Sequence, residues 1–337
     1  MYRPPILIDE VQKAPALFEQ IKILCDGSDE RGQFWLTGSQ SKKLLKRAGD
    51  SLAGRICIYS LSAKERAGRA DDLPVDYSLP SLLERSRNCS VNNIPDVYVR
   101  IREGGMPDMI AMDTEQRLEY WNSYIDSYLM RDAVDDNGIQ DTEGFRRFLR
   151  ACAAFSGELV NYNDLGGAAG VSGVTAKEWL GVLQSMGIVF LLEPYSNNEL
   201  KRMIKTPKLY FCDTGFCASL SSWTSRDTLM NGAASGHYLE NYVVSEMLRN
   251  ASCGEKKMNL NFYRDTNQKE IDLVIETDGQ LHPFGIKRAA SPDRRINRAF
   301  SLLEKSGKDI GPGVIICMAE KPFPIDAANS LIPVNLL

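Results

Sequence analysis

Five residues near the start, Ile6-Leu7-Ile8-Asp9-Glu10, set the narrowest limit on the fold: a short apolar run that ends in two adjacent carboxylates. Such a run reads as a buried strand whose tip carries charge. The segments around it alternate in the same manner. A helix-like stretch lies near Ala16 to Cys25, an apolar run at Phe34 to Leu36, a helix near Gln40 to Ala48, and a strand at Ile56 to Tyr59. That alternation predicts a parallel sheet with crossover helices.

Beyond it, residues 70 to 110 are rich in Pro, Ser, Asn and Arg and lack clear periodicity, so they read as an irregular connection closed by Gly104-Gly105-Met106-Pro107. Helical spacing returns over Glu115 to Asp132, through Leu118, Trp121, Ile125, Tyr128 and Leu129, and over Glu143 to Ala154, through Phe145, Phe148 and Leu149. A short helix near Tyr162 to Ala168, a glycine turn and a helix from Thr175 to Met186 precede strands at Ile188 to Leu192 and Lys208 to Cys212, which together predict a helix-turn-helix with a β-wing. The last section begins with a helix from Tyr238 to Arg249 and continues as strands at Asn261 to Tyr263, Ile271 to Ile275, Leu281 to Ile286 and Gly313 to Cys317.

Composition narrows the chemistry. The 337 residues carry 44 acidic and 40 basic side chains, so attraction to a polyanion must come from a local patch. No apolar run approaches the length of about 18 residues that spans a bilayer, and Met1-Tyr2-Arg3-Pro4-Pro5 has no apolar leader, so neither secretion nor membrane insertion is expected. The eight cysteines are scattered without a CxxC pair, and His237 and His282 are the only histidines. Reduced thiols in a cytoplasmic protein are the expectation, and a histidine-built metal centre or triad has little to work with.

A strand tip with Asp followed by Glu suits a magnesium nucleotide: the Asp holds the metal and the Glu orients the attacking water. Strands often end in acids, so the pentapeptide alone leaves that reading open. Further on, Phe34-Trp35-Leu36 ends in Thr37-Gly38-Ser39-Gln40, where a hydroxyl can sense a γ-phosphate, and Ala53-Gly54-Arg55 precedes the third strand. LIDEVQKAP, FWLTGSQ and SLAGR, in this order and spacing and followed by GGMP and YLMRD, resemble the prokaryotic AAA+-type ATPases with a C-terminal half of unknown function. The resemblance covers nearly the whole chain. It implies ATP and Mg2+ as cofactors, Asp9 and Glu10 as the Walker B pair with Asp9 on the metal, Thr37 as the sensor, and Arg55 as a phosphate contact in cis or in a neighbouring subunit. The departure is the phosphate loop: no GxxxxGK followed by Ser or Thr occurs in the sequence. By the resemblance its strand sits in mid-sheet, so its loss leaves unpaired backbone and an exposed apolar edge. A gene start placed too late, a decayed gene, and a sheet completed by a second copy or another protein are the three explanations. On any of them, the chain as given is expected to bind ATP poorly and not to hydrolyse it.

In the helix-turn-helix, Thr175 and Lys177 stand near the N-terminal end of the second helix, where a reading helix meets base edges. The wing LKRMIKTPK supplies Lys201, Arg202, Lys205 and Lys208 with no acid among them, which suits phosphate contacts from double-stranded DNA. Winged helices also dock proteins, and a basic hairpin is often only a solvated surface.

The segment FYRDTNQKEIDLVIETDGQLHPFGIKRAASP resembles the restriction-endonuclease-like core, the PD-(D/E)xK superfamily, of these ATPases. By that resemblance Asp272 and Lys287 match the metal-binding acid and the lysine, and Glu240 matches a helix acid that often joins the site. Gly285 stands where the central acid belongs. A hard cation needs several charged oxygens, so the nuclease-like site is expected to be inactive.

The expected fold is therefore multi-domain α/β: the C-terminal part of an AAA+-type core with a partial P-loop parallel sheet (1–70), a linker and helical lid (71–140), a winged helix (141–212) and a restriction-endonuclease-like α/β domain (213–337). The expected function is an N-terminally incomplete AAA+-type ATP-binding protein, in full form a nucleotide-dependent, DNA-associated switch. A non-enzymatic DNA- or protein-binding module with degenerate ATPase and nuclease folds is the alternative.

Overall fold

Ile6–Ile8 and Phe34–Leu36 form strands β1 and β2, paired in parallel with Ile6 opposite Phe34, Leu7 opposite Trp35 and Ile8 opposite Leu36. The computed structural model describes residues 4–38, 52, 77–88, 94–106, 108–109, 112–135, 137–196, 205–223, 225–253 and 258–337. Two compact units are present, residues 1–59 with 178–189, and residues 60–177 with 190–337.

In the first unit, helix α1 (Ala16–Asp26) is the crossover between the two parallel strands. It buries Phe18 and Ile21, spaced to fall on one face, together with Val11 and Leu52 against Ile8, Phe34 and Leu36. Strand side chains alternate, so Leu7 and Trp35 turn to the other face, where they are 70% and 60% exposed. The expected helix near Gln40 to Ala48 and strand at Ile56 to Tyr59 lie outside the described residues.

The second unit opens with helices α2 (Leu79–Asn88) and α3 (Ile94–Glu103). They correct the expectation of an irregular connection over residues 70 to 110. Leu82, Val97, Tyr98 and Ile101 are buried, and the Tyr98 hydroxyl donates to the Ser235 carbonyl at 3.0 Å. Tertiary burial decides these helices; arginines on their last turns had diluted the apolar period. Next, α4 (Thr114–Ser123) starts on an Asp113–Gln116 capping box, widens into a π-helical segment at Tyr124–Leu129, and ends as α5 (Met130–Asp135). Tyr120, Tyr124 and Tyr128 stack along it.

Helices α6 (Thr142–Ala154), α7 (Tyr162–Ala169) and α8 (Gly173–Ser185) follow, then strands β3 (Val189–Leu192) and β4 (Lys208–Phe211), which form a two-stranded sheet. Asn161 caps α7, Gly170 closes it at φ +75°, and the Ser172 hydroxyl accepts from the Thr175 amide at 3.0 Å. Helices α9 (Thr214–Leu220), α10 (Arg226–Asn231) and α11 (Ser235–Cys253) lead into a six-stranded sheet, in the order β5-β6-β7-β8-β10-β9. Its strands are β5 (Asn259–Arg264), β6 (Glu270–Thr277), β7 (Gln280–Lys287), β8 (Gly313–Cys317), β9 (Phe323–Pro324) and β10 (Asn329–Pro333). The first three pair antiparallel, β7, β8 and β10 run parallel, and β9 returns antiparallel. Helix α11 packs on β7, and a 3₁₀ segment, Arg294–Ser306, packs on β6, β7 and β8. The strand β10 and its partner β9 went unrecognised in the sequence. Cys152, Cys217 and Cys317 are buried and free, in line with core thiols.

Candidate functional site

Two places gather the chemistry. At the first, the tips of β1 and β2, the backbone zips past the strands: the Thr37 amide donates to the Ile8 carbonyl at 3.0 Å and the Val11 amide to the Thr37 carbonyl at 3.1 Å. This holds the two tips side by side, and the Thr37 hydroxyl donates to the Asp9 carboxylate. Asp9 is exposed, and Glu10 beside it is half-buried in left-handed backbone at φ 50°, ψ 43°. For a side chain of that size the left-handed region is strained, and such strain concentrates where a group must be aimed. The structure brings Asp9 and Thr37 into contact, with Glu10 next to Asp9 in the chain; Arg55 lies outside the described residues. One carboxylate and one hydroxyl are hard oxygen donors of the kind magnesium accepts, short of a full protein cage, as befits an ion that keeps waters and phosphate oxygens as ligands.

The second place joins α11, β4 and the edge of the six-stranded sheet. In β5 a single residue, Phe262, stands opposite Asp272 and Leu273, since Asn261 pairs Val274 and Tyr263 pairs Ile271. At this bulge the Asp272 carboxylate accepts from the Ile286 amide at 2.6 Å and from Lys287 Nζ at 2.8 Å, the re-aiming that bulges bring about. Glu240 of α11 accepts from Lys208 Nζ at 2.8 Å and from the Tyr210 hydroxyl at 2.6 Å. Glu270 accepts from the same Lys208 Nζ at 2.5 Å and pairs through its other oxygen with Arg264 at 3.1 Å.

Lys208 corrects one expectation. Its place in the basic wing points it at phosphate, yet as the first residue of β4 it is buried, its side chain 4% exposed. Burial pulls its pKa down; the carboxylates of Glu240, Glu270 and Asp272 outweigh that and hold the ammonium above the ordinary lysine range. Burial, then Glu240, pushes the Tyr210 phenol well above its usual range. Glu270 was missed, although it stands two residues before Asp272 on the same strand and the period-two rule offered it.

The carboxylates do not fit a metal ion as they stand. Each already accepts from a donor of the chain, Glu240 through Oε1, Asp272 through Oδ2 and Glu270 through both oxygens, and among the described residues no group of three or more His, Cys, Asp or Glu is arranged to hold one. A Cβ added at Gly285 would lie 3.6 Å from Ile315 Cγ1 and 3.8 Å from Phe300 Cζ, so an acid there would set out on the apolar side of the sheet. Glu276 pairs with Lys308, away from Asp272.

Of the residues expected at DNA, Thr175 is half-buried with its hydroxyl 2.9 Å from that of Ser172, while Lys177 is exposed with its ammonium 5.9 Å above the Tyr162 ring. Lys205 is exposed, and Lys201 and Arg202 lie outside the described residues. Among the described residues no helix is long and apolar enough to cross a membrane.

Residues 2–65 match the model of an AAA domain, residues 95–227 a domain of unknown function, DUF8612, and residues 235–337 a second, DUF4143. Two uncharacterized proteins, Mb2031c of Mycobacterium bovis and Rv2008c of Mycobacterium tuberculosis, are each 26% identical over 330 residues, 98% of this chain and 68% of theirs. No solved structure matches the chain. Its N-terminal end is thus similar to AAA-type ATPases.

Proposed function

We propose that the tips of β1 and β2 are the magnesium and γ-phosphate end of an AAA+-type nucleotide pocket, and that the protein works as a nucleotide-dependent switch. The observation that carries this is the hydrogen bond from the Thr37 hydroxyl to Asp9 across adjoining parallel strand tips. In this reading Asp9 would hold the ion, Glu10 would orient the attacking water, Thr37 would touch the γ-phosphate, and Arg55 would contact phosphate in cis or from a neighbouring subunit. Magnesium, when bound, neutralises charge on the phosphate oxygens. No GxxxxGK followed by Ser or Thr lies within these 337 residues, so the backbone cradle for the phosphates must be supplied to this pocket from outside them. The exposed pair Leu7 and Trp35 suits a sheet that accepts further structure on that face.

The remaining segments follow as a linker and helical lid (71–140), a winged helix (141–212) and a nuclease-like domain (213–337). Thr175 and Lys177 on α8, with Lys201, Arg202 and Lys205 of the wing, form the proposed contact with double-stranded DNA. The neutralised carboxylates favour a C-terminal half that binds rather than cuts.

Calorimetric titration with MgATP tests the pocket. The chain alone should bind only at millimolar nucleotide, and a form extended at its N-terminus by a strand, phosphate loop and helix should bind at micromolar. Micromolar binding by the chain alone contradicts the reading. For DNA, the duplex affinity of the chain should fall with salt, and Lys177→Ala with Lys205→Ala should flatten that slope by about 2; a mobility shift absent at low salt removes the DNA assignment.

A further inference from the structure

We infer that the ammonium of Lys208 occupies the position a divalent cation would take among the carboxylates of the C-terminal domain, closing this nuclease-like site to metal with a cation of the chain's own. The inference rests on the nuclease-like reading of this domain and is independent of the nucleotide pocket.

Glu240 comes from α11, Glu270 and Asp272 from β6, and a lysine from β4 reaches in between them. Its nitrogen lies 2.8 Å from Glu240 Oε1 and 2.5 Å from Glu270 Oε1, and 5.5 Å from the centre of the Phe262 ring. The charges balance without a metal: Glu240, Glu270 and Asp272 face Lys208, Arg264 and Lys287. An entering divalent ion would have to expel a buried ammonium and break its two charge-assisted bonds, while the carboxylates it gained are already neutralised. The Gly285 position supplies no further oxygen. Hard-cation affinity follows the number of free charged ligands, and here each carboxylate is engaged.

Lys208 is held in this place by its own strand. Leu159 bridges to it through the backbone, and the following Leu209, Tyr210 and Phe211 are fully buried, so the ammonium cannot withdraw without moving β4. Tyr210, from the same strand, adds a hydroxyl to Glu240 Oε1, so lysine and phenol together occupy that carboxylate oxygen.

Two measurements decide the matter. In the unaltered chain, the ammonium resonance of Lys208, seen by nitrogen-15 NMR as slowly exchanging, should be broadened by millimolar Mn2+ no more than those of exposed lysines; selective broadening overturns the inference. In Lys208→Met and Lys208→Gln, Tb3+ should bind about 100-fold more tightly than in the unaltered chain, with luminescence sensitised by Tyr210, and adding Glu240→Gln should abolish the gain. A folded Lys208→Met protein that gains no Tb3+ affinity also overturns it. Where neither substituted protein folds, the Mn2+ experiment on the unaltered chain decides alone.

Discussion

Replacing Gly104 by alanine should cost far more than its size suggests, because one carboxylate stands where the new methyl would go. Gly104 ends α3 at φ +74°, and a Cβ built there would lie 2.2 Å from Asp213 Oδ1 and 2.8 Å from both Cγ and Oδ2. Asp213 is not free to yield: Oδ2 accepts from the Gly105 amide at 2.8 Å and Oδ1 accepts from the Phe216 amide at 2.9 Å, capping α9. Left-handed backbone costs alanine about 1 kcal/mol. Turning Asp213 away forfeits the cap, about 1 kcal/mol, and the charge-assisted bond to Gly105, about 1–2 kcal/mol. The sum is about 3–4 kcal/mol. Gly138 is the control, since it also has positive φ, +69°, but a Cβ there meets nothing within 4 Å, so Gly138→Ala should cost only about 1 kcal/mol. Urea unfolding followed by circular dichroism would give both values. A cycle with Asp213→Ala should recover about 2 kcal/mol of coupling, because without the carboxylate Gly104→Ala pays only for its backbone. Equal costs for Gly104→Ala and Gly138→Ala, or additivity with Asp213→Ala, would refute the reasoning.

Two further outcomes follow from the buried ion network and its neighbours. Glu270→Gln should lower unfolding free energy by about 2–3 kcal/mol in urea, since Lys208 keeps Glu240 but loses half its neutralisation; a change within about 0.5 kcal/mol would mean that the pair contributes nothing. In alkali, Lys208 is held above its ordinary 10.5, so its contribution is fully present below that pH and is lost as pH rises through the folded value. Burial likewise raises the Tyr210 phenol and pushes Tyr242 up to about 12, so stability should decline from about pH 10 upward. A spectrophotometric titration in which every tyrosine of the folded chain ionises near its usual value would contradict this.

How much of this was legible beforehand depended on whether the signal was local. Strands β1 and β2 were read within a residue because apolar runs bounded by charge and glycine carry their own limits, and their parallel pairing followed from the helix between them. The strands β5 to β8 showed as short runs rich in apolar residues, β8 buried along its whole length. By contrast α3 is helical because Val97, Tyr98 and Ile101 are covered by α9, α10 and α11, all more than a hundred residues later in the chain. Strand β10 depends in the same manner on its parallel neighbour β8. At the candidate sites, residue type alone misled once: Lys208 sits in a basic run and reads as solvated, but one residue into β4 it turns inward to three carboxylates. Glu270 was recoverable by period two from Asp272, whereas the partnership of Glu240 with β4 needed the fold.

The pocket at the strand tips is best tested by where a paramagnetic nucleotide goes. With millimolar MnATP added to the chain, the amide signals of Asp9, Glu10 and Thr37 should broaden first, and Asp9→Asn should remove the effect while the signals of β5 to β8 stay sharp throughout. Broadening that begins elsewhere, or that survives Asp9→Asn unchanged, would contradict the assignment of these strand tips to nucleotide.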